Sequence, residues 1–155
     1  TFYTHYTDVY HLRDTIEATL LKTLDANLER VLASMSDYDI VPLVAMVSSL
    51  YRDYGDTFLV LLTHPNSSFS NKIKHLAREK FLKKCPGLSS EDTVKVSYII
   101  EYQISAVIGV IAYWQKTKEF PFKDLLKAVK EVTSGGILPA IADVLQKYTV
   151  HSRHI

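Results

Sequence analysis

A chain of 155 residues is long enough for one domain with its own core, and 47% hydrophobic against 23% charged residues excludes an intrinsically disordered protein. Lys and Arg total 18 against 17 Asp and Glu, so a net charge of +1 excludes whole-surface attraction to nucleic acid or to an anionic membrane. A single cysteine excludes an internal disulfide framework and a multi-cysteine zinc site.

The longest uninterrupted apolar run, Ala106 to Trp114, is nine residues and shorter than a membrane span. The opening, Thr1-Phe2-Tyr3-Thr4-His5-Tyr6, has neither the basic start nor the apolar stretch of a signal peptide. Together these features predict a soluble, cytoplasmic protein with no membrane partner. The aromatic start without an initiating methionine reads as a fragment cut inside an element.

Five glycines and five prolines fall at spaced points, as punctuation between long helices. Asp8 is placed as an N-cap. Apolar residues then recur at Val9, Leu12, Ile16, Leu20, Leu24, Leu28, Val31 and Leu32, in steps of three and four that predict a helix over about 9–34. Ser36-Asp37-Tyr38-Asp39 breaks it, and Pro42 suits the first turn of a second helix that ends at Tyr54-Gly55. Asp56 is expected to cap a short apolar helix, Thr57 to Thr63, stopped by His64-Pro65.

Ser70 or Asn71 restarts the chain as an amphipathic helix with Ile73, Leu76, Ala77 and Phe81 inward, ended by Cys85-Pro86-Gly87. Ser89 or Ser90, followed by Glu91-Asp92, reads as a cap with an acidic first turn. The helix it opens is expected to run to about Lys118. Another starts at Phe120-Pro121 and closes at Gly135-Gly136, and Ile137 to Tyr148 forms a last one. The fold class is all-α, a helical bundle of six or seven helices.

From Tyr98 to Trp114 the polar side chains are few: Glu101, Gln103 and Ser105. A helix apolar around its circumference must be covered on several sides. One small domain covers about half of it, and a second copy of the chain is the simplest cover for the rest. Ser105, Ala106, Gly109 and Ala112 make a strip where another backbone can approach closely. The expected dimer face comprises Ala106, Gly109, Val110 and Tyr113 on this helix with Leu125, Val129 and Val132 on the next, a four-helix interface. Central placement of both helices in a monomeric bundle is the alternative.

Signs of catalysis are few. His75 and Glu79 stand at i, i+4, a spacing shared by metal ligands and by ordinary surface pairs, and no further ligand accompanies them. His151 and His154 lie in a polar tail, and Cys85 has basic neighbours but no partner base. Serine-nucleophile motifs, phosphate-binding glycine loops and suitably spaced carboxylate pairs are absent. The chain is therefore read as a non-enzyme with no cofactor and no metal. Six Lys or Arg against one acid over 72–84 are read first as a solvated helix face, with phosphate contact as the alternative.

Ten tyrosines suit an apolar cavity with a few orienting polar groups. Its expected lining is Tyr51, Phe58, Leu62 and Phe81 from the middle helices, with Tyr98, Glu101, Tyr102 and Ser105 from the long apolar helix. A filled core is the competing reading for any one of these residues.

The stretch Thr1-Phe2-Tyr3-Thr4-His5-Tyr6-Thr7-Asp8, running into Val9-Tyr10-His11-Leu12, resembles the end of the DNA-binding region of TetR-family transcriptional regulators. There an aromatic-Tyr-x-His-aromatic segment closes the recognition helix and a capped long helix follows. The segment Ile108-Gly109-Val110-Ile111-Ala112-Tyr113-Trp114 and the later Gly135-Gly136 agree with the regulatory domain of the AcrR-like members. The resemblance implies residues 1–8 as a remnant of a helix-turn-helix, 9–148 as a ligand-binding and dimerisation domain, and 149–155 as a tail. It also implies that Tyr3 and His5 contact the DNA backbone, although Val9 stands where family members often have lysine. On this basis the chain is expected to be a cytoplasmic, homodimeric regulator, a repressor, that binds operator DNA in the full-length protein. A hydrophobic or aromatic small-molecule effector would release that DNA. The alternatives are a helical homodimeric interaction module without a small-molecule ligand, and a helical enzyme with an unseen site.

Overall fold

A computed structural model describes residues 9–34 and 41–136, and among them the chain is all-helical with six helices and no strands. The helices are α1 (Val9–Ser34), α2 (Val41–Tyr54), α3 (Asp56–Thr63), α4 (Phe69–Lys84), α5 (Ser90–Thr117) and α6 (Phe122–Gly135). Asp8, 137–148 and the tail histidines lie outside the described residues, as do Tyr3 and His5.

In α1 the buried positions are Glu17, Leu20, Leu24, Leu28 and Leu32. That row of leucines four apart forms one ridge along the helix, and it supplies both halves of the core. Leu20 and Leu24 join Leu50, Phe58, Leu59, Leu61, Leu62, Phe69, Ile111, Trp114, Phe122, Leu125 and Leu126 in the main cluster. Leu28 and Leu32 join Ala77 and Ile100 in a smaller one, with Phe81 packed against it. Val9, expected to begin the apolar face of α1, is instead exposed.

The eight-residue α3 is the hub. Phe58, Leu59, Leu61 and Leu62 are all buried, and the helix packs against α2, α4 and α5. Gly55 makes the turn into it at φ +57°, where a side chain would be strained. Its amide donates to the Tyr51 carbonyl at 2.7 Å. Gly55, not Asp56, takes the N-cap position, and no side chain caps this end. Asp56 lies within the first turn, where its charge still faces the positive end of the helix dipole.

Helix α4 starts at Phe69, before the expected Ser70 or Asn71. Ser68 occupies its N-cap position but does not cap it: the hydroxyl donates to Glu17 Oε1 on α1 at 3.0 Å. At α5, by contrast, Ser89 accepts the Asp92 amide at 3.1 Å and fixes the first turn. Lys118 ends α5 in the left-handed region at φ 47°, its amide returned to the Trp114 carbonyl.

Candidate functional site

Charge decides how α4 is held. Only Phe69 and Ala77 are buried in this helix, and ion pairs supply much of its specificity on both sides. Toward α1, Lys72 Nζ reaches Glu17 Oε1 at 2.7 Å, and Lys80 Nζ bridges Asp25 at 2.8 Å and Glu29 at 3.1 Å. Partners eight residues apart on each helix, in the same order, make α1 and α4 run parallel. Toward α5, Glu101 takes Lys74 Nζ at 2.8 Å and Arg78 Nη2 at 3.1 Å. Four of the six cations over 72–84 are thus engaged within the fold, which corrects the view of this run as a plain solvated face.

Two of these groups have shifted protonation. Hydrogen bonds to Asp25 and then Glu29 raise the Lys80 pKa above its ordinary value. The hydrogen bond from Lys74, opposed by partial desolvation, lowers the Glu101 carboxyl.

Glu101 therefore owes its place in an apolar helix to α4, not to a cavity. The eight residues expected to line one cavity do not converge. Tyr51, Phe58 and Leu62 belong to the main cluster and Phe81 to the smaller one. Tyr98 and Tyr102 point away from both, 73% and 62% exposed. Ser105 is exposed and donates to Glu101 Oε1 at 3.3 Å. Where the cavity was expected, rings fill the space. Tyr51 lies 4.2 Å from Phe122 and 6.3 Å from Trp114, centroid to centroid, and Phe58 meets Phe69 edge-on at 6.4 Å. Phe69, Trp114 and Phe122 were not among the expected site residues, and aromatic composition alone could not place them opposite Tyr51 and Phe58.

The outer face of α5 is the candidate site. Tyr98, Tyr102, Ala106, Gly109 and Tyr113 follow one another in steps of four and three, and all are exposed, together with Ile99 and Val110. At Gly109 an added methyl group would meet nothing within 4 Å, so the middle of the face is low and flanked by rings. The expected dimer residues divide between two environments. Ala106, Gly109, Val110 and Tyr113 lie on this face, and Val132 of α6 is exposed. Leu125 is a correction: it is buried within its own chain beside Leu126 and is unavailable to a partner. Val129 is half-buried.

The same helix meets the length and composition of a membrane span, since an 18-residue window has mean hydropathy 1.4 with 11% of it buried. Counting only the unbroken run of nine missed this, because Glu101, Gln103 and Ser105 interrupt a longer apolar stretch. Elsewhere, His75 and Glu79 form an exposed pair at 3.8 Å. Among the described residues no three His, Cys, Asp or Glu converge as metal ligands. Cys85 is exposed at the end of α4. An open apolar groove of about 380 Å³ lies between the start of α1 and α3.

Comparison with protein-family models, with curated proteins and with solved structures finds no match.

Proposed function

We propose that the chain is the dimerising regulatory part of a TetR-type transcriptional repressor, paired through the outer face of α5 with support from Val132 on α6. The observation that carries this reading is the row from Tyr98 to Tyr113, an apolar face with three tyrosine rings left in water along about four turns of helix. Faces of this kind mark interfaces, and a stable pair buries about 800 Å² per partner. In the dimer, α1 leads from the core toward the segment that holds Tyr3 and His5, the proposed DNA-backbone contacts. Two such segments must stand about 34 Å apart to meet successive major grooves. An effector acts by preferring a dimer shape with another spacing, and it weakens DNA binding only by its differential affinity.

A hydrophobic or aromatic effector on this reading has to open the interior, because the rings of Tyr51, Trp114 and Phe122 occupy it. Among the described residues, this ring packing favours the second reading, a homodimeric helical interaction module without a small-molecule ligand. Both need the dimer, and DNA separates them. The test is electrophoretic retention of operator fragments selected from a random DNA pool by the full-length protein, which supplies the rest of the helix-turn-helix. The regulator reading expects enrichment of a two-fold symmetric site and its loss in Tyr3→Ala/His5→Ala, whereas no enrichment leaves the interaction module.

A further inference from the structure

Charge continues the exposed face of α5 beyond its tyrosines at both ends. Glu91 and Lys95 precede Tyr98, Lys116 follows Tyr113, and all three charged residues are exposed. None of them has an ion-pair partner among the described residues, and Glu91 and Lys95 do not close the i, i+4 contact open to them. At about 100° per residue, Glu91, Tyr98, Tyr102, Gly109, Tyr113 and Lys116 fall within roughly 60° of one another. Whatever covers the rings therefore meets these charges too.

A second copy related by a two-fold axis can lie along this face in two ways. With the axis along the helix, each residue faces its own counterpart. Glu91 then meets the partner's Glu91, Lys116 the partner's Lys116, and Gly109 leaves a gap against the partner's Gly109. With the axis across the helix, the two helices run antiparallel. Setting Glu91 against the partner's Lys116 then sets Tyr98 against the partner's Gly109, and Tyr102 against the partner's Ser105 and Ala106. Tyr113 falls on the partner's Val94, which is itself exposed. Rings thus meet small or apolar residues throughout, and Gly109 has the room, since an added methyl group there meets nothing within 4 Å. Sliding one turn, to bring Tyr102 over the partner's Gly109, would oppose Lys95 to the partner's Lys116 and lose the opposite pair.

We propose that two copies of α5 pair antiparallel about an axis level with Gln103 and Ile104. Each Tyr98 ring seats at the partner's Gly109, and each Glu91 carboxylate meets the partner's Lys116 ammonium. This register rests on the dimer proposed above and adds the orientation of its two copies. The rings supply the buried area, and the terminal ion pairs select the register.

The test uses the wild-type chain. A carbodiimide condenses a carboxylate with an amine already in contact, forming an amide while the reagent takes up the water as a urea. Positions 91 and 116 stand about 37 Å apart along one helix, so a Glu91–Lys116 crosslink found by peptide mass spectrometry arises between copies. The register predicts that crosslink in the dimer. Glu91→Lys should also raise the dimer dissociation constant roughly tenfold, because symmetry reverses two ion pairs at once. Glu91→Lys/Lys116→Glu should return it close to the wild-type value. A wild type that sediments as a dimer but yields no Glu91–Lys116 crosslink overturns this register and leaves the dimer standing, as does a double reversal weaker than Glu91→Lys alone. A wild type that stays a single chain, whether free or floating with phosphatidylcholine vesicles, overturns both.

Discussion

Lys72 Nζ stands 2.7 Å from Glu17 Oε1, and Glu17 is the one buried charged side chain among the described residues. The pair is lopsided: the carboxylate is 4% exposed and the lysine 53%. Coulomb attraction alone is modest at such a half-solvated contact. The carboxylate, however, has been taken from water and depends on Lys72 and the Ser68 hydroxyl for its replacement partners. Lys72→Ala should therefore lower stability by about 1–3 kcal/mol. Adding Glu17→Leu should restore part of that loss, because the orphaned charge is gone. Urea unfolding of the two variants measures both, and a double variant less stable than Lys72→Ala would contradict this explanation.

Trp114 is the single tryptophan and is buried beside Tyr51 and Phe122, its indole N–H donating to the Phe120 carbonyl at 2.6 Å. Phe122→Ala should cost about 3–5 kcal/mol by emptying the ring cluster. It should also shift the native tryptophan emission to longer wavelength as water reaches the indole. Emission spectra and thermal unfolding of the variant check both effects.

Acid should act partly through Glu101. Its carboxyl is more acidic in the folded chain than in the unfolded one, chiefly because Lys74 hydrogen-bonds to it. The contribution of this group is consequently complete above the unfolded carboxyl range and disappears as pH falls through the lower folded value. Glu101→Gln should be less stable than wild type at neutral pH, with the gap closing below about pH 4. Lys80, raised by Asp25 and Glu29, has the opposite sense: its contribution holds at neutral pH and is lost as pH rises through its elevated folded value. Unfolding midpoints across pH, wild type against Glu101→Gln and Lys80→Met, check each direction.

The helices were legible in the sequence because their signals are local. Leucines four apart named the face of α1, Gly55 and Cys85-Pro86-Gly87 marked real ends, and Ser89 caps as its neighbours imply. What the sequence could not give is which faces meet. Glu101 looks like a lone polar group in an apolar helix until α4 brings Lys74 and Arg78 beside it. Ser68 has the residue type of a cap, yet the buried Glu17 claims its hydroxyl. Tyr98 and Tyr51 are equally apolar on paper, but one lies outside the bundle and the other packs on Phe122. Leu125 and Val132 occupy one apolar stripe by spacing, and packing against the core separates them.

Sedimentation of the full chain at micromolar concentration, beside the variants Ala106→Glu and Tyr102→Lys, bears most directly on the exposed face of α5. Both substitutions fall on exposed positions, so neither should disturb the fold. The wild type should sediment with twice the mass of one chain, and both variants should sediment as folded single chains. A wild type that remains a single chain at every concentration would contradict pairing through α5, and so would variants that dimerise as tightly as the wild type.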